Sequence, residues 1–135
     1  MNTPPELRIL VVDDMRDLAD TLAVLIRIWG YEVVVTYDGS EALIEASANP
    51  PDVVLLDIGL PKMNGLDLAR RLRQLPAMAK ALLIAISGFG QEADVQRCKE
   101  AEIDCHFLKP VDPEELRQVL VKAQNLGQEQ RQLAC

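Results

Sequence analysis

The sequence predicts an α/β domain, (βα)₅, with helices wound on both faces of one five-stranded parallel sheet. Three observations carry this. Five short runs of strand character alternate strictly with helical patterns, and such alternation builds parallel βαβ units with right-handed crossovers. Several of the runs are apolar throughout, as strands buried on both faces must be. The 135 residues, 49% of them hydrophobic, suffice for one continuous core and one domain.

In chain order the strands are LRILVV at 7–12, EVVVT at 32–36, DVVLL at 52–56, ALLIAIS at 81–87 and CHFL at 105–108. After the first strand, Leu18, Leu22, Leu25, Ile26 and Trp29 draw one apolar stripe on a helix that ends near Gly30, a residue suited to a helix terminus. The second helix starts at Asp38, with Glu41 completing a capping pair, and stops before Asn49-Pro50-Pro51. A third begins near Asn64. The last opens with Asp112 as cap and Pro113 in its first turn, and sets Leu116, Val119, Leu120 and Ala123 on one face. Residues 7–126 thus form the domain, between an N-terminal tail at 1–6 and a polar tail at 127–135. No repeat, linker or second domain is expected.

The bulk properties exclude several functions. A net charge of −7 opposes non-specific attraction to nucleic acid. The dense basic stretch Arg70, Arg71 and Arg73 reads as a solvated helix face. Neither a membrane-length apolar segment nor a secretory leader is seen, so the expected location is the cytoplasm, without membrane association. The cysteines, Cys98, Cys105 and Cys135, lack metal-ligand spacing and are expected as reduced thiols: two packed in or near the core and one at the terminus without a role.

Chemistry concentrates where ligands gather in open α/β sheets, at the carboxyl ends of the strands. There the chain places Asp13-Asp14, Asp57, Ser87-Gly88 and Lys109-Pro110. With strand order 2-1-3-4-5, the first and third strand ends adjoin, and three carboxylates converge. Such a cluster needs a cation, and a donor set of oxygens alone suits a hard ion: Mg²⁺, or Mn²⁺ as an alternative. Ser87 and Lys109 could hold phosphate oxygens, and Asp57 could act as a carboxylate nucleophile forming an acyl phosphate. Taken singly, each residue has a plainer explanation: a helix cap for Asp13 or Asp14, a turn for Ser87-Gly88, an exposed charge for Lys109. The constellation favours the metal-phosphate site.

The stretches ILVVDD (9–14), VVLLDIGLPKMNGLDLARRLR (53–73), AISG (85–88) and HFLKPVDPEEL (106–116) resemble the receiver domain of two-component response regulators, in a form similar to stand-alone chemotaxis regulators. The resemblance implies a flavodoxin-like fold and a phosphorelay function, with Asp57 taking a phosphoryl group from a sensor histidine kinase. Asp14, Asp57 and the Gly59 backbone carbonyl would ligate Mg²⁺, and Asp13 would act through water. Ser87 would bond a phosphate oxygen, Lys109 would pair with Asp57, and Lys109-Pro110 would be a cis peptide. Phosphorylation would then reshape the surface of helix four, strand five and helix five. That surface would bind a downstream protein or pass the phosphoryl group to a histidine phosphotransfer protein. The domain would be a phosphoacceptor rather than an enzyme, without an organic cofactor, and a monomer or a phosphorylation-dependent dimer.

Three departures or variants from the family's pattern matter, the third of them a pair of positions. Ser87 stands where threonine is frequent, retaining the hydroxyl. His106 occupies the switch position usually held by tyrosine or phenylalanine; its plainer reading is a partly exposed strand residue, with Phe107 on the opposite face. The resemblance implies that side chains at Gly59 and Phe89, two residues beyond Asp57 and Ser87, influence access of water to the acyl phosphate: Gly59 offers no group to position it, and Phe89 would act as a partial screen. The run Gly88-Phe89-Gly90-Gln91-Glu92-Ala93 mimics a dinucleotide-binding turn, yet it follows the fourth strand, and Leu108-Lys109 stand where an acidic residue would be needed. An aspartyl-phosphate hydrolase of the haloacid dehalogenase type would need Asp-x-Asp and a cap domain. A receiver-like module that never takes phosphate conflicts with the intact acidic, hydroxyl and lysine positions. No GxxxxGK[ST] loop supports nucleotide hydrolysis.

Overall fold

The computed structural model describes residues 7–59, 64–88 and 92–135. Its elements are β1 (Arg8–Val12), α1 (Arg16–Ile28), β2 (Glu32–Thr36), α2 (Gly39–Ala48), β3 (Val53–Asp57), α3 (Gly65–Gln74), β4 (Leu82–Ser87), α4 (Glu92–Glu100), β5 (Cys105–Leu108) and α5 (Pro113–Leu126). Short 3₁₀ segments follow α3 at Pro76–Met78 and α5 at Gln128–Ala134. All strand pairs are parallel, in the order β2-β1-β3-β4-β5. Among the described residues, no helix is long and apolar enough to cross a membrane.

Strand alternation sorts the core into two layers. Ile9, Val11, Val53, Leu55, Ile84 and Ile86 face one layer, where Ala19, Ala23 and Ile26 of α1 and Leu116, Leu120 and Ala123 of α5 cover them. Leu10, Val12, Val54, Leu56, Leu83 and Ala85 face the other, beneath Ala42 and Ala46 of α2 and Leu68, Ala69 and Leu72 of α3. Helices on both faces explain why β3 and β4 are apolar up to the polar residue that ends each: every residue in both is buried.

The caps form as the local sequence dictates. Asp38 accepts from the Glu41 N–H, Asn64 from the Asp67 N–H and Asp112 from the Glu114 N–H. The Glu41 carboxylate reaches back to the Tyr37 N–H at 2.9 Å, so the second cap is reciprocal, one residue wider than the usual box. Gly30 follows α1 with φ +97°, a conformation glycine adopts without a Cβ penalty.

The structure corrects the sequence reading at three places. The buried face of α1 is centred on Ala19, Ala23 and Ile26, while Leu18 is 49% exposed; the small residues let the helix approach the sheet closely. Arg70 and Arg71 are exposed, but the Arg73 side chain is only 7% exposed and ion-pairs with Asp104 at 2.7 Å. Its guanidinium also donates to the carbonyls of Met78, Ala81 and Glu102, tying α3 to the segments that enter β4 and β5. Finally, Cys105 and Cys135 are joined as a disulfide, with their Cα atoms 5.5 Å apart, where reduced thiols were expected. That pairing required the segment after α5 to fold back under the sheet, which its polar composition does not signal.

Candidate functional site

Strand register assembles the site. Asp13 directly follows β1, and its backbone N–H donates to the Thr36 carbonyl at 3.2 Å; the buried Thr36 hydroxyl donates to the Val11 carbonyl at 3.1 Å. Asp57 ends β3 opposite Ile86 of β4, and the next peptide continues the ladder, Ile58 N–H to the Ile86 carbonyl. The Lys109 N–H donates to the Ser87 carbonyl at 2.8 Å, which holds the ends of β4 and β5 in register. Lys109-Pro110 is a cis peptide.

On this frame the carboxylate oxygens of Asp13, Asp14 and Asp57 come within 4.8 Å of one another. Asp57 is the most enclosed, with 7% of its surface exposed. One of its oxygens accepts from the Gly59 N–H at 2.9 Å and the other from the Lys109 ammonium at 3.1 Å. Lys109 also lies 3.8 Å from Asp13, so its ammonium is shared between two of the three carboxylates. Burial raises the Asp13 carboxyl above its ordinary value of 3.8 and the neighbouring Asp57 charge adds to this, opposed by the Met15 N–H bond and Lys109. Among the described residues the donors are all hard oxygens without histidine or thiolate, and the charge they carry is negative even with Lys109 counted. Both features fit a divalent cation of the Mg²⁺ type.

Asp13, Asp14, Asp57, Ser87 and Lys109 lie at the carboxyl edge; His106 is the second residue of β5, and its side chain meets that of Ser87. The Ser87 hydroxyl and His106 Nε2 are 2.9 Å apart, a contact the sequence does not reveal because the partners sit on neighbouring strands. Phe107 packs into the α1–α5 layer, on the face opposite His106. Phe89 and the dinucleotide-like run from Phe89 to Gln91 lie outside the described residues.

Sequence reasoning missed Gly65. A Cβ built there would lie 2.5 Å from the Asp57 carbonyl oxygen, 2.6 Å from Ile58 Cα and 2.9 Å from a Leu56 methyl. The first turn of α3 therefore packs directly on the backbone that carries Asp57. Only the glycine after the Asn64 cap marked the position, and glycine there has commoner explanations. Thr36 was missed as well; nothing in EVVVT singles out its last residue.

A doubly wound sheet of order 2-1-3-4-5, with three carboxylates and a lysine at its switch point, defines the class: a receiver-type signalling domain. The response regulator receiver domain family matches residues 9–121. The chain belongs to this family, whose members act in two-component phosphorelay signalling. Among curated relatives it is 39% identical over 109 residues to the DNA-binding response regulator MtrA of Mycolicibacterium smegmatis, covering 81% of this chain and 46% of that protein. It is 35% identical over 103 residues to a gliding motility regulatory protein of Myxococcus xanthus, covering 76% of this chain and 13% of the relative. The chain thus spans half or less of these relatives. A response regulator structure from Chloroflexus aurantiacus superposes with TM-score 0.82 at 30% identity, covering 91% of this chain and 100% of that one. The receiver domain of a Pseudomonas aeruginosa sensor histidine kinase, solved with magnesium coordinated in its active-site cleft, gives 0.78 at 26% identity, over 86% and 95%.

Proposed function

We propose that Asp57 is the phosphoacceptor of this domain, taking a phosphoryl group from a phosphohistidine of a sensor kinase or phosphotransfer protein. The observation that carries this is the convergence of Asp13, Asp14 and Asp57, with the Lys109 ammonium 3.1 Å from Asp57. Asp14, Asp57 and the Gly59 carbonyl would hold Mg²⁺, with Asp13 in its outer sphere; the bound ion would neutralise charge on the transferring group. The Gly59 N–H and Lys109 hold the Asp57 carboxylate in one orientation before reaction. One carboxylate oxygen attacks phosphorus, the O–P bond forms and the P–N bond of the donor breaks. Lys109 offsets the negative charge brought in, and the Ser87 hydroxyl turns from His106 to donate to a phosphoryl oxygen.

Exchange of the Ser87–His106 bond for a Ser87–phosphoryl bond frees the imidazole on β5. His106 thereby carries the change to the α4–β5–α5 surface, which binds a downstream protein or a phosphotransfer partner. The domain acts chemically only on itself, in the cytoplasm, as a monomer or a phosphorylation-dependent dimer, and contacts neither nucleic acid nor membrane directly.

Intact-mass measurement after incubation with a small phosphodonor and Mg²⁺ tests the reading. One added phosphoryl group is expected, abolished by chelator and by Asp57→Asn, and reduced by Lys109→Ala. Absence of any adduct in the wild type would refute it.

A further inference from the structure

Beyond α5 the chain turns at Gly127, φ +77°, and residues 128–134 return beneath the amino ends of β3, β4 and β5, opposite the Asp57 edge. Four anchors hold this segment. The buried Arg131 guanidinium donates to Asp52 at 3.1 Å and to the Ala123 carbonyl at 3.4 Å. The Gln132 amide donates to the carbonyls of Ala79 and Ala81, each at 3.2 Å. Glu129 pairs with Lys80, and Ala134 enters the α1–α5 core layer. Together they deliver Cys135 to Cys105, the first residue of β5. The Cα separation of 5.5 Å lies at the centre of the range that a disulfide spans without backbone movement.

We propose that Cys105 and Cys135 form a reversible intramolecular redox site that fastens the C-terminal segment to β5, independently of phosphorylation at Asp57. Two features select this pair. Cys98 belongs to the core layer on the other face of the sheet, so it does not compete for either partner. Cys135 is exposed whereas Cys105 is 6% exposed, which orders the chemistry. The Cys135 thiolate attacks a small-molecule disulfide such as oxidised glutathione, forming a mixed disulfide and expelling one glutathione thiolate. The Cys105 thiolate then attacks the Cys135 sulfur and expels the second. Two protein thiols are oxidised by two electrons, one glutathione disulfide is reduced to two thiols, and the protons released by the cysteines end on them. In a reducing compartment a pair of this kind reports oxidant rather than serving as a permanent staple. The closed ring contains all of β5 and α5, whereas the acidic cluster lies at the far ends of the strands. Oxidation therefore restrains β5 and α5 while leaving the Asp57 site chemically intact.

The test equilibrates the whole chain in glutathione mixtures of increasing oxidised fraction, followed by acid quench, denaturation, alkylation and intact-mass measurement. Reduced protein should carry three alkyl groups. Oxidised protein should carry one, on Cys98, with a Cys105–Cys135 cross-linked peptide. Cys135→Ser should retain two alkylatable thiols, at 98 and 105, at every ratio. Oxidation should raise the melting temperature by about 10 °C, from the loop the bond closes, and slow amide exchange in α5 and residues 128–134. Asp57→Asn should behave as wild type, so loss of the phosphoacceptor reading would leave this one standing. Three alkylatable thiols at all ratios, a persistent glutathione adduct on Cys135, or disulfide-linked dimers would each overturn the proposal. So would an oxidised protein whose melting temperature and α5 exchange match the reduced one.

Discussion

Replacing Gly65 with alanine puts one methyl where the structure leaves no room. Its contacts at 2.5 and 2.6 Å would be with the backbone of Asp57 and Ile58, and only the third, at 2.9 Å, with a movable side chain. Backbone cannot rotate away, so α3 must shift from β3, at about 3 kcal/mol, the upper part of the usual overpacking range. Alanine's helix preference over glycine returns about 1 kcal/mol. The net loss should be about 2 kcal/mol, a melting temperature lower by about 8 °C for a domain of this size. Because the displaced group carries Asp57, phosphorylation should slow about tenfold. Gly59→Ala is the matched control: among the described residues a Cβ there meets only an Asp57 carboxylate oxygen, at 3.5 Å, an ordinary contact, so stability should stay within about 0.5 kcal/mol of wild type. Urea denaturation at constant m-value reads both. A Gly65→Ala protein as stable as wild type, or a Gly59→Ala protein equally damaged, would refute the packing argument.

Other predictions follow from the charges and the backbone. The folded Asp13 carboxyl lies above 3.8, so its contribution to stability is full below that pH and is lost as pH rises through the raised folded value. In chelator at neutral pH, Asp13→Asn should be more stable than wild type, with the difference closing below pH 3.8; equal denaturation midpoints at pH 7 would count against the burial penalty and the repulsion from Asp57. Mg²⁺ at ten times its dissociation constant should add about 1.4 kcal/mol to the wild type, and less to the variant. Arg73→Met removes the guanidinium from the half-buried Asp104, which keeps only its bond from the Leu83 N–H, and from several carbonyls, and should cost about 2 kcal/mol; Arg73→Lys should recover less than half of this, since an ammonium cannot reproduce the fork. Recovery to wild-type stability by lysine would show that charge alone matters there. Glu102 lies two residues beyond α4 at φ +62°, with Ile103 N–H bonded to the Cys98 carbonyl and Glu102 N–H to that of Lys99, a Schellman geometry that favours glycine. Glu102→Gly should therefore gain about 0.5 kcal/mol, and a loss of stability would contradict this.

Much of the fold was legible in the chain because its signals are local. Apolar runs ending in Asp13, Asp57, Ser87 and Lys109 located the strands and the edge where chemistry would occur. The side chains of Asp38, Asn64 and Asp112 marked helix starts through bonds to amides two or three residues away. A parallel sheet wound on both faces then brought Asp13, Asp14, Asp57 and Lys109 together by topology. What only the tertiary structure decided depends on neighbours distant in sequence. Leu18 was expected inward because helical periodicity identifies an apolar face without saying which part of it the sheet covers. Arg73 was expected in solvent because the carbonyls it satisfies come from two other segments. Gly65 owes its importance to a backbone eight residues earlier, and the Ser87–His106 bond to strand register. Residues 128–135 offered no apolar pattern, yet Arg131 found Asp52 and Cys135 found Cys105. Periodicity and capping are written within a few residues of chain, whereas close approach, buried pairing and cross-linking belong to surfaces that exist only once the sheet has formed.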